Sequence, residues 1–401
     1  MSVAPSGTFG VAVRRPSVTC KPVLVSLVLV AVIAAGCTGF VSVAPNRLVS
    51  GKPIMLWAAA GGMPTAVLAV AGVCLLALAF APSRRAAYPV AAIAGAALVA
   101  VLVAAGNAAA TFAVGASANA SISLGAGFWL IFACAALALI DALQRAGAGA
   151  VVQLVVVALA IAGLLVMAET GLFDALSLAR EFAGRREVFA AAVIRHVELV
   201  VGAIVPALVI GVPLGLLAQR RKSFETPLFA VLNLLQTVPS IALFGLLIGP
   251  LSALATGLPA LGTLGIGGVG PAPAIIALVL YALLPIARNT LAGIGGVSPA
   301  ALDAARGMGM TGRQVFWQVE VPLAAPVLLA GLRIVLVQTI GLAVVAALIG
   351  AGGLGTFVFD GLGQYATNLV LLGALPAIIL ALGVDFLLRL ATGGMRSHLA
   401  P

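Results

Sequence analysis

Long, nearly uninterrupted apolar runs constrain the fold of this 401-residue chain more than any other feature. Each run is close to the ~20 residues that an α-helix needs to cross ~30 Å of hydrocarbon. Because lipid offers no partner to open backbone groups, such runs must be helical, and the alternating pattern of membrane β-barrel strands is missing from them. The sequence therefore predicts an all-α polytopic membrane protein with about ten transmembrane helices. The predicted spans are approximately 22–42, 54–80, 87–106, 124–142, 149–168, 197–218, 227–248, 273–293, 323–349 and 369–391.

The composition excludes the soluble classes of protein. Hydrophobic residues make up 63% of the chain and charged residues 8%, against about 25% charged in an ordinary soluble domain. A chain with so few charges cannot cover a water-facing surface, so its outer surface is expected to contact membrane lipid. The net charge of +10 then reports on loop orientation, and no nucleic-acid partner is predicted.

The distribution of Lys and Arg predicts which ends of the spans face the cytoplasm. With the N-terminus inside, thirteen of the 21 basic residues fall on the cytoplasmic side and six outside, while Arg288 and Arg333 lie in or beside spans. This asymmetry favours an N-in, C-in topology.

The four cysteines predict neither a disulfide framework nor a zinc site, since none forms a CxxC pair. No metal site and no catalytic residue is predicted. The sequence Ala34–Cys37 follows a basic N-region and resembles a lipoprotein cleavage site, but a first transmembrane helix explains it better. The cysteines are Cys20, Cys37, Cys74 and Cys134.

A change in the amino-acid composition of the spans near residue 170 predicts the domain organisation. Up to that point the spans contain mostly Ala, Val, Gly and Leu, with Asp141 as the only acid before Glu169. Later spans carry Gln, Asn, Thr and Pro. We predict an accessory bundle of about five spans over 1–170, an external amphipathic linker over 171–196, and a working domain of about five spans over 187–401.

The connection 294–322 is the most informative segment. Ser298 followed by Pro299 predicts the start of a short helix, and Thr311 with Gln314 predicts a capping box for a second one. Gly309 lies at the bend between them. Val315, Phe316 and Val319 give the second helix an apolar face, which predicts docking on a partner; a helix lying on the membrane surface is the alternative.

This loop resembles the cytoplasmic coupling loop of ABC importer permeases. The family pattern is Glu-Ala-Ala, three residues, Gly, nine residues, Ile, one residue, Leu-Pro. The spacing is identical here, with Asp for Glu and Val for both Ile and Leu. The matching residues are Asp303, Ala304, Ala305, Gly309, Val319, Val321 and Pro322.

Three further segments resemble permeases of the glycine betaine, carnitine and choline uptake systems: 235–243, 281–290 and 347–355. The resemblance covers about 187–401 and implies a MetI-like ABC permease core, carried by a long form with extra N-terminal helices. It further implies a place in the bacterial cytoplasmic membrane and a role in ATP-driven import of a small osmoprotectant. An ABC permease for amino acids such as methionine shares the same core and remains an alternative.

The resemblance also implies partners. These are cytoplasmic ABC ATPase subunits, a second permease subunit that is either the same chain or a shorter homologue, and an extracytoplasmic solute-binding protein. The chain has no GxxxxGK[ST] pattern, so it is not expected to be an enzyme; ATP would be used by the partner subunit, and no cofactor is expected here. The loop would transmit closure of the ATPases to the adjoining spans, and Pro322 is expected to start the ninth span abruptly.

Polar residues inside the spans predict the solute pathway, because such groups are costly in lipid and usually face the bundle interior. Hydrogen bonding between helices is an equally weighted alternative. Arg333 and Asp385, the isolated charges of the last two long spans, are predicted to form a structural pair. The candidate pathway residues are Asn233, Gln236, Thr237, Ser240, Asn289 and Gln338.

Two other classes of membrane protein are less consistent with the sequence. An ion-coupled secondary transporter is expected to show internal repeats and carboxylates at mid-membrane depth, and neither is visible. A channel is expected to show a selectivity filter, for which the glycine-rich segment 350–363 is only a superficial candidate.

Overall fold

The computed structural model describes residues 21–46, 49–81, 84–117, 119–260 and 266–399. Cys20 and most of the N-terminal basic region used in the topology prediction lie outside these ranges. The chain divides into two compact units between Ser177 and Leu178. Each unit is described separately below.

The N-terminal unit is a bundle of apolar helices with a small sheet at one end. Its longer helices coincide with the predicted spans, whose apolar runs are long enough to cross a bilayer. In chain order the described helices of this unit are α1 (Pro22–Cys37), α2 (Leu56–Ala59), α3 (Gly62–Ala79), α4 (Ala87–Ala113), α5 (Ala126–Ala146) and α6 (Ala150–Glu169).

Two of the predicted N-terminal spans are shorter than expected. The first ends at Cys37 rather than at 42, which leaves a helix of 16 residues, or about 24 Å at 1.5 Å per residue. The second is divided: residues 52–54 form a strand, and α3 begins only at Gly62. Gly61, at φ +71°, separates α2 from α3, a conformation that glycine adopts without strain.

The prediction contained no β-structure, yet three short antiparallel strands pair in the order β2-β1-β3. They are β1 (Val41–Ala44), β2 (Lys52–Ile54) and β3 (Ser121–Leu124). Val41 pairs with both Ile54 and Leu124. Phe40 and Val41 are fully buried and pack on α4 and α5 through Val101 and Phe128. The strands are too short for a sequence pattern to distinguish them from the ends of apolar runs.

Helix α6 differs from its neighbours because it has no buried residue in the described structure. It is apolar on all sides, as expected for a helix surrounded by lipid or by another membrane subunit.

The C-terminal unit contains the longest helices of the described structure. In chain order its described helices are α7 (Ser177–Ala183, which begins at the boundary), α8 (Arg186–Arg220), α9 (Lys222–Thr237), α10 (Ser240–Gly257), α11 (Pro271–Gly295), α12 (Pro299–Gly307), α13 (Gly312–Val315), α14 (Val321–Val345), α15 (Gly355–Gly363) and α16 (Thr367–Leu399). A π-helical turn (Phe316–Glu320) joins α13 to α14.

The core of this unit forms where α8, α11 and α14 pack together. Small side chains such as Ala203 and Ala277 allow close approach of the helices, and Leu278 and Ile340 fill the space between them. In membranes small residues at helix interfaces increase van der Waals contact, which drives association there.

Two predictions for this unit need correction. The span predicted at 227–248 is two helices, because Val238 is extended (φ −70°, ψ 125°) before Pro239 and ends α9, as expected for a residue that precedes proline. The linker predicted up to 196 is helical from Arg186 onward and belongs to the 35-residue α8.

Among the described residues, nine helices are long and apolar enough to cross a membrane, and α1 is a shorter apolar helix. A polytopic, predominantly helical membrane fold is thereby confirmed.

Candidate functional site

The bend in the 294–322 loop is a helix C-cap centred on Gly309. The Met310 amide donates to Ala305 O (3.2 Å) and the Gly309 amide to Arg306 O (2.9 Å), the paired bonds of a Schellman motif. Gly309 has φ +81°, which a residue with a side chain adopts only at a cost. The glycine predicted at the bend is therefore required by the backbone conformation.

The helix after the bend begins with the predicted capping box. The Thr311 amide donates to Gln314 Oε1 (2.8 Å), and the Gln314 amide donates to Thr311 Oγ1 (3.4 Å). Ser298 occupies the N-cap position of α12, but its side chain makes no capping bond there. The two short helices are thus fixed mainly by Pro299, Gly309 and the Thr311 box.

The loop joins the following span without a break. From Gly312 the helical path continues through α13, the π-turn and α14 to Ile349. As expected, the regular α-helix of this span starts at Val321 with Pro322 at its second position, but a helical turn precedes it without a gap. This turn, Phe316–Glu320, is a wider π-turn, at the place where the proline ring and its missing amide would disrupt a regular α-helix. A displacement of α13 can therefore pass directly into α14.

Buried apolar contacts anchor the loop to the membrane-spanning part of the unit. Phe316 and Leu302 pack on a cluster that contains Ile294 and Ala324. The Arg220 guanidinium at the end of α8 lies 5.3 Å from the centre of the Phe316 ring, within cation-π range. The loop is thus seated against the ends of three spans.

The first three residues of the matched motif do not share one environment. Asp303 and Ala304 are exposed, and Asp303 pairs with Arg306 on the surface at 3.4 Å. Ala305 is only 2% exposed, because one residue along a helix rotates the side chain by about 100°. Its role is in the packing of the loop itself.

Sequence reasoning missed the two largest apolar side chains on this surface. Met308 is 77% exposed and Trp317 is 60% exposed. Trp317 is the only tryptophan after residue 129, and its place in a short polar connection was a usable signal. Exposed Met and Trp are typical of protein interfaces.

Three of the candidate pathway residues lie at the break between α9 and α10. Gln236 Nε2 donates to the Tyr281 carbonyl on α11 (2.8 Å), and the Tyr281 hydroxyl donates to the Val238 carbonyl. Thr237 Oγ1 donates within its own helix to Leu234 O (2.7 Å), and Ser240 is half-buried. The break is therefore held to α11 by polar contacts, as the interhelical alternative proposed.

Asn233 and Asn289 also make structural contacts. The Arg288 guanidinium on α11 donates to Asn233 Oδ1 (3.2 Å) and lies over the Phe229 ring. Asn289 Nδ2 donates to Pro285 O (2.7 Å). A side chain on Gly331 would lie only 2.3 Å from Asn289 Cγ, so α11 and α14 approach closely there.

Gln338 lies apart from this group, exposed on α14. The structure therefore gathers Gln236, Thr237 and Ser240 at one break, places Asn233 on the same helix, and separates Asn289 and Gln338 on two others.

Arg333 and Asp385 meet as a pair between α14 and α16. Arg333 Nε lies 3.2 Å from Asp385 Oδ1, with side chains 32% and 23% exposed. Asp385 is shared, because Arg389 Nη2 lies 2.7 Å from its other oxygen. The sequence did not predict this second arginine.

No group of three or more metal-ligating side chains is found among the described residues. The geometry is that of a helical bundle with a partly exposed loop that continues into one of its long helices.

Comparison with known families divides the chain in the same region as its structural units. Residues 20–179 match the family model described as the N-terminal domain of the ABC transporter permease YehY. Residues 211–397 match the model of the binding-protein-dependent transport system inner membrane component.

Several characterised permeases are similar over about half of the chain. The carnitine transport permease protein OpuCB of Listeria monocytogenes is 42% identical over 207 residues, which is 52% of this chain and 86% of that protein. The osmoprotectant import permease protein OsmW of Salmonella typhimurium is 43% identical over 49% of this chain and 86% of its own length. The choline transport system permease protein OpuBB of Bacillus subtilis is 39% identical over 49% and 83%.

Among solved structures, a chain from an inward-facing form of the MetNI methionine ABC transporter matches 52% of this chain and 96% of its own length, with 22% identity and a TM-score of 0.45. The sequence relatives are covered over most of their length at about 40% identity. The chain belongs to the family of inner-membrane permease components of binding-protein-dependent ABC transport systems.

Proposed function

We propose that this chain is the permease subunit of an ATP-driven importer for a small osmoprotectant such as glycine betaine, carnitine or choline. The observation that carries the proposal is the 294–322 loop, which combines a Gly309 cap, an exposed outer face and an unbroken helical path into α14. The names of the sequence relatives support the class of solute.

The loop is the proposed docking site for a cytoplasmic ATPase subunit. Its exposed Met308 and Trp317 offer apolar area to a groove, and the Asp303–Arg306 pair lies at the edge as a polar rim. Binding surfaces of this kind take most of their energy from a few aromatic or apolar anchors.

Transport would follow from movement of this docked loop. ATP would be bound and hydrolysed on the partner, and its closure would displace α13. Because α13 continues into α14, and α14 is tied to α16 by the Arg333–Asp385 pair, the displacement would move both helices together. Packed helices that shift as rigid bodies are a common means of switching access.

Recognition of the solute would depend mainly on an extracytoplasmic binding protein. Only 5% of the residues are aromatic, and tight binding of a quaternary ammonium group usually requires several aromatic faces. A second permease subunit, identical or homologous, would complete the pathway. The N-in, C-in orientation predicted from the basic residues would put the loop on the cytoplasmic side, as this role requires.

Two glycines of the loop allow a matched test. Neither Gly309 nor Gly312 has an atom within 4 Å of a built Cβ, but only Gly309 has a left-handed φ. Gly309→Val therefore strains the backbone by about 1–3 kcal/mol, while Gly312→Val adds the same side chain without that strain. We expect Gly309→Val to insert normally and to lose at least ~90% of solute uptake, a change of about 1.4 kcal/mol or more in the transport barrier.

The measurement is uptake of radiolabelled glycine betaine, carnitine and choline, with methionine as the competing solute class, at matched membrane levels. Gly312→Val should keep most of the parent's uptake, and co-purification of the ATPase subunits should fall only for Gly309→Val. Equal uptake by both variants would show that the loop does not couple. Uptake of methionine in preference to the quaternary amines would contradict the proposed solute class.

A further inference from the structure

His196 is a buried polar side chain without hydrogen-bond partners. It lies on α8 with an exposed fraction of 0%, and within the described part of the chain neither ring nitrogen has a partner. The Ile340 backbone lies near the ring but outside hydrogen-bonding geometry. Burying a polar group without a hydrogen-bond partner is unfavourable. The burial of the His196 ring therefore needs a physical explanation.

A glycine-rich connection covers this histidine. Gly352 and Gly353 follow α14 and both have left-handed backbones, at φ +80° and +83°. A built Cβ on Gly353 would lie 3.3 Å from His196 Nδ1 and 3.4 Å from His196 Cβ. A built Cβ on Gly352 would lie 3.4 Å from Arg195 Cγ. Two consecutive glycines therefore fit closely over two consecutive residues of α8.

A hydrogen bond that water can replace joins the glycine-rich connection to α8. Arg195 Nε donates to the Ala351 carbonyl (3.2 Å), while Nη1 binds Glu198 (2.9 Å). The Arg195 side chain is 39% exposed, so water can replace the bond to Ala351. We call residues 350–353, together with Arg195 and His196, the glycine clasp.

The clasp is attached to the proposed coupling path. The helix that starts at Gly312 ends at Ile349, directly before Gly350, which also has a left-handed φ of +75°. Glycine at a helix end is well suited to absorb a change in backbone dihedral angles, as hinges do. A displacement of α14 would thus reach the clasp at its glycines.

We propose that the glycine clasp opens during the transport cycle and exposes His196 to water, so that His196 is a gating residue for the solute pathway. In the closed state the orphaned imidazole raises the energy of the packed arrangement. In the open state water satisfies both nitrogens, which brings the two states closer in free energy. A population shift of this kind needs such a differential interaction.

A disulfide across the clasp tests the movement. The 3.4 Å between His196 Cβ and a built Gly353 Cβ is close to the ~3.5–4.5 Å found in disulfides. The variant for this test combines His196→Cys with Gly353→Cys, and its native cysteines are replaced by Ser. We expect the oxidised form, verified by mass, to take up less than one tenth of the solute taken up by the reduced form, and reduction to restore uptake. The two single variants, oxidised and reduced, provide the baseline. Undiminished uptake by the cross-linked chain would overturn the proposal.

A second measurement needs neither the disulfide nor the solute. His196→Cys alone, in membranes, is treated with a small charged thiol reagent and compared with Ala203→Cys, which lies on the same buried face of α8 and is also 0% exposed. If the clasp opens, the reagent should modify the cysteine at position 196 at least tenfold faster than the cysteine at position 203. Equally slow reaction at both positions would mean that the clasp stays closed.

The role of the clasp rests on the transport function proposed above, and the two experiments separate these claims. Uptake by the cysteine-free parent reports on transport alone, whereas the labelling ratio reports on opening alone. Absence of uptake in the parent would therefore count against the proposed function, while the labelling ratio would still decide the clasp.

Discussion

The two units of the chain differ in the side chains that make contacts between their helices. In the N-terminal unit the buried positions of α4 are small and apolar, as at Ala94, Ala104 and Ala108. In the C-terminal unit polar groups cross between helices, as in the contacts of Gln236 with Tyr281 and of Arg333 with Asp385. Polar contacts inside spans are expensive and are usually tied to function. This difference agrees with the proposal made above, in which the C-terminal unit moves solute, and it leads us to propose a supporting role for the N-terminal unit.

One ion pair from each unit illustrates the same contrast. Asp141 and Arg145 pair at 2.7 Å within a single turn near the end of α5. Asp385 instead connects two helices and serves two arginines. An i,i+4 pair stabilises one helix locally, whereas an interhelical pair fixes the relative position of two.

The largest effect is expected at Asp385. Asp385→Asn leaves Arg333 and Arg389 without a carboxylate, whereas Arg333→Gln leaves Asp385 paired with Arg389 at 2.7 Å. Breaking a buried pair costs about 3–5 kcal/mol, and we expect about 2–3 kcal/mol for this partly exposed one. Thermal unfolding in detergent should show a clearly larger loss for Asp385→Asn than for Arg333→Gln.

The charge exchange sharpens this prediction. Arg333→Asp combined with Asp385→Arg places the new arginine one turn from Arg389, so like charges meet and the exchange should restore little stability. Full restoration, or equal losses for the two single variants, would show that Arg389 does not share Asp385.

A glycine in the N-terminal unit tests whether that unit only supports the structure. A Cβ on Gly125 would lie 2.1 Å from the Gly39 carbonyl oxygen at the end of the sheet, so Gly125→Ala must displace backbone, at a cost of about 1–3 kcal/mol. We expect less folded protein but unchanged uptake per folded molecule. Gly95→Ala is the control, because no atom lies within 4 Å of a Cβ built there. A fall in uptake per folded molecule for Gly125→Ala would break the proposed division of roles.

The smallest effect is expected at Asp141. Its pair with Arg145 is partly exposed, with side chains 37% and 23% exposed for Arg145 and Asp141, and lies within one helix. Asp141→Asn should therefore lower stability by no more than about 0.5 kcal/mol. The same unfolding measurement applies, and a loss as large as that of Asp385→Asn would contradict the contrast between local and interhelical pairs.

Sequence patterns predicted the features that depend on neighbouring residues. The capping box of Thr311 and Gln314 and the bend at Gly309 are set within a few residues and occur as expected. The apolar runs predicted most spans, because each run is long compared with the thickness of hydrocarbon. Where a single residue decided the geometry, prediction was less accurate: Pro239 divides a predicted span, while Pro322 follows a π-turn within a continuous helical path.

The sequence by itself determined that this is a helical membrane protein with a loop that matches the motif spacing of permease coupling loops, because hydropathy, caps and motif spacing are local and additive along the chain. Only the tertiary structure decided the pairing of three short strands, the sharing of Asp385 between two arginines and the burial of His196 beneath Gly353. The strand pairing, the contact of Asp385 with Arg333 and the burial of His196 each join separate elements of the chain, whereas Arg389 lies only four residues from Asp385. Their energies come from the close approach of particular atoms, which no run of neighbouring residues encodes.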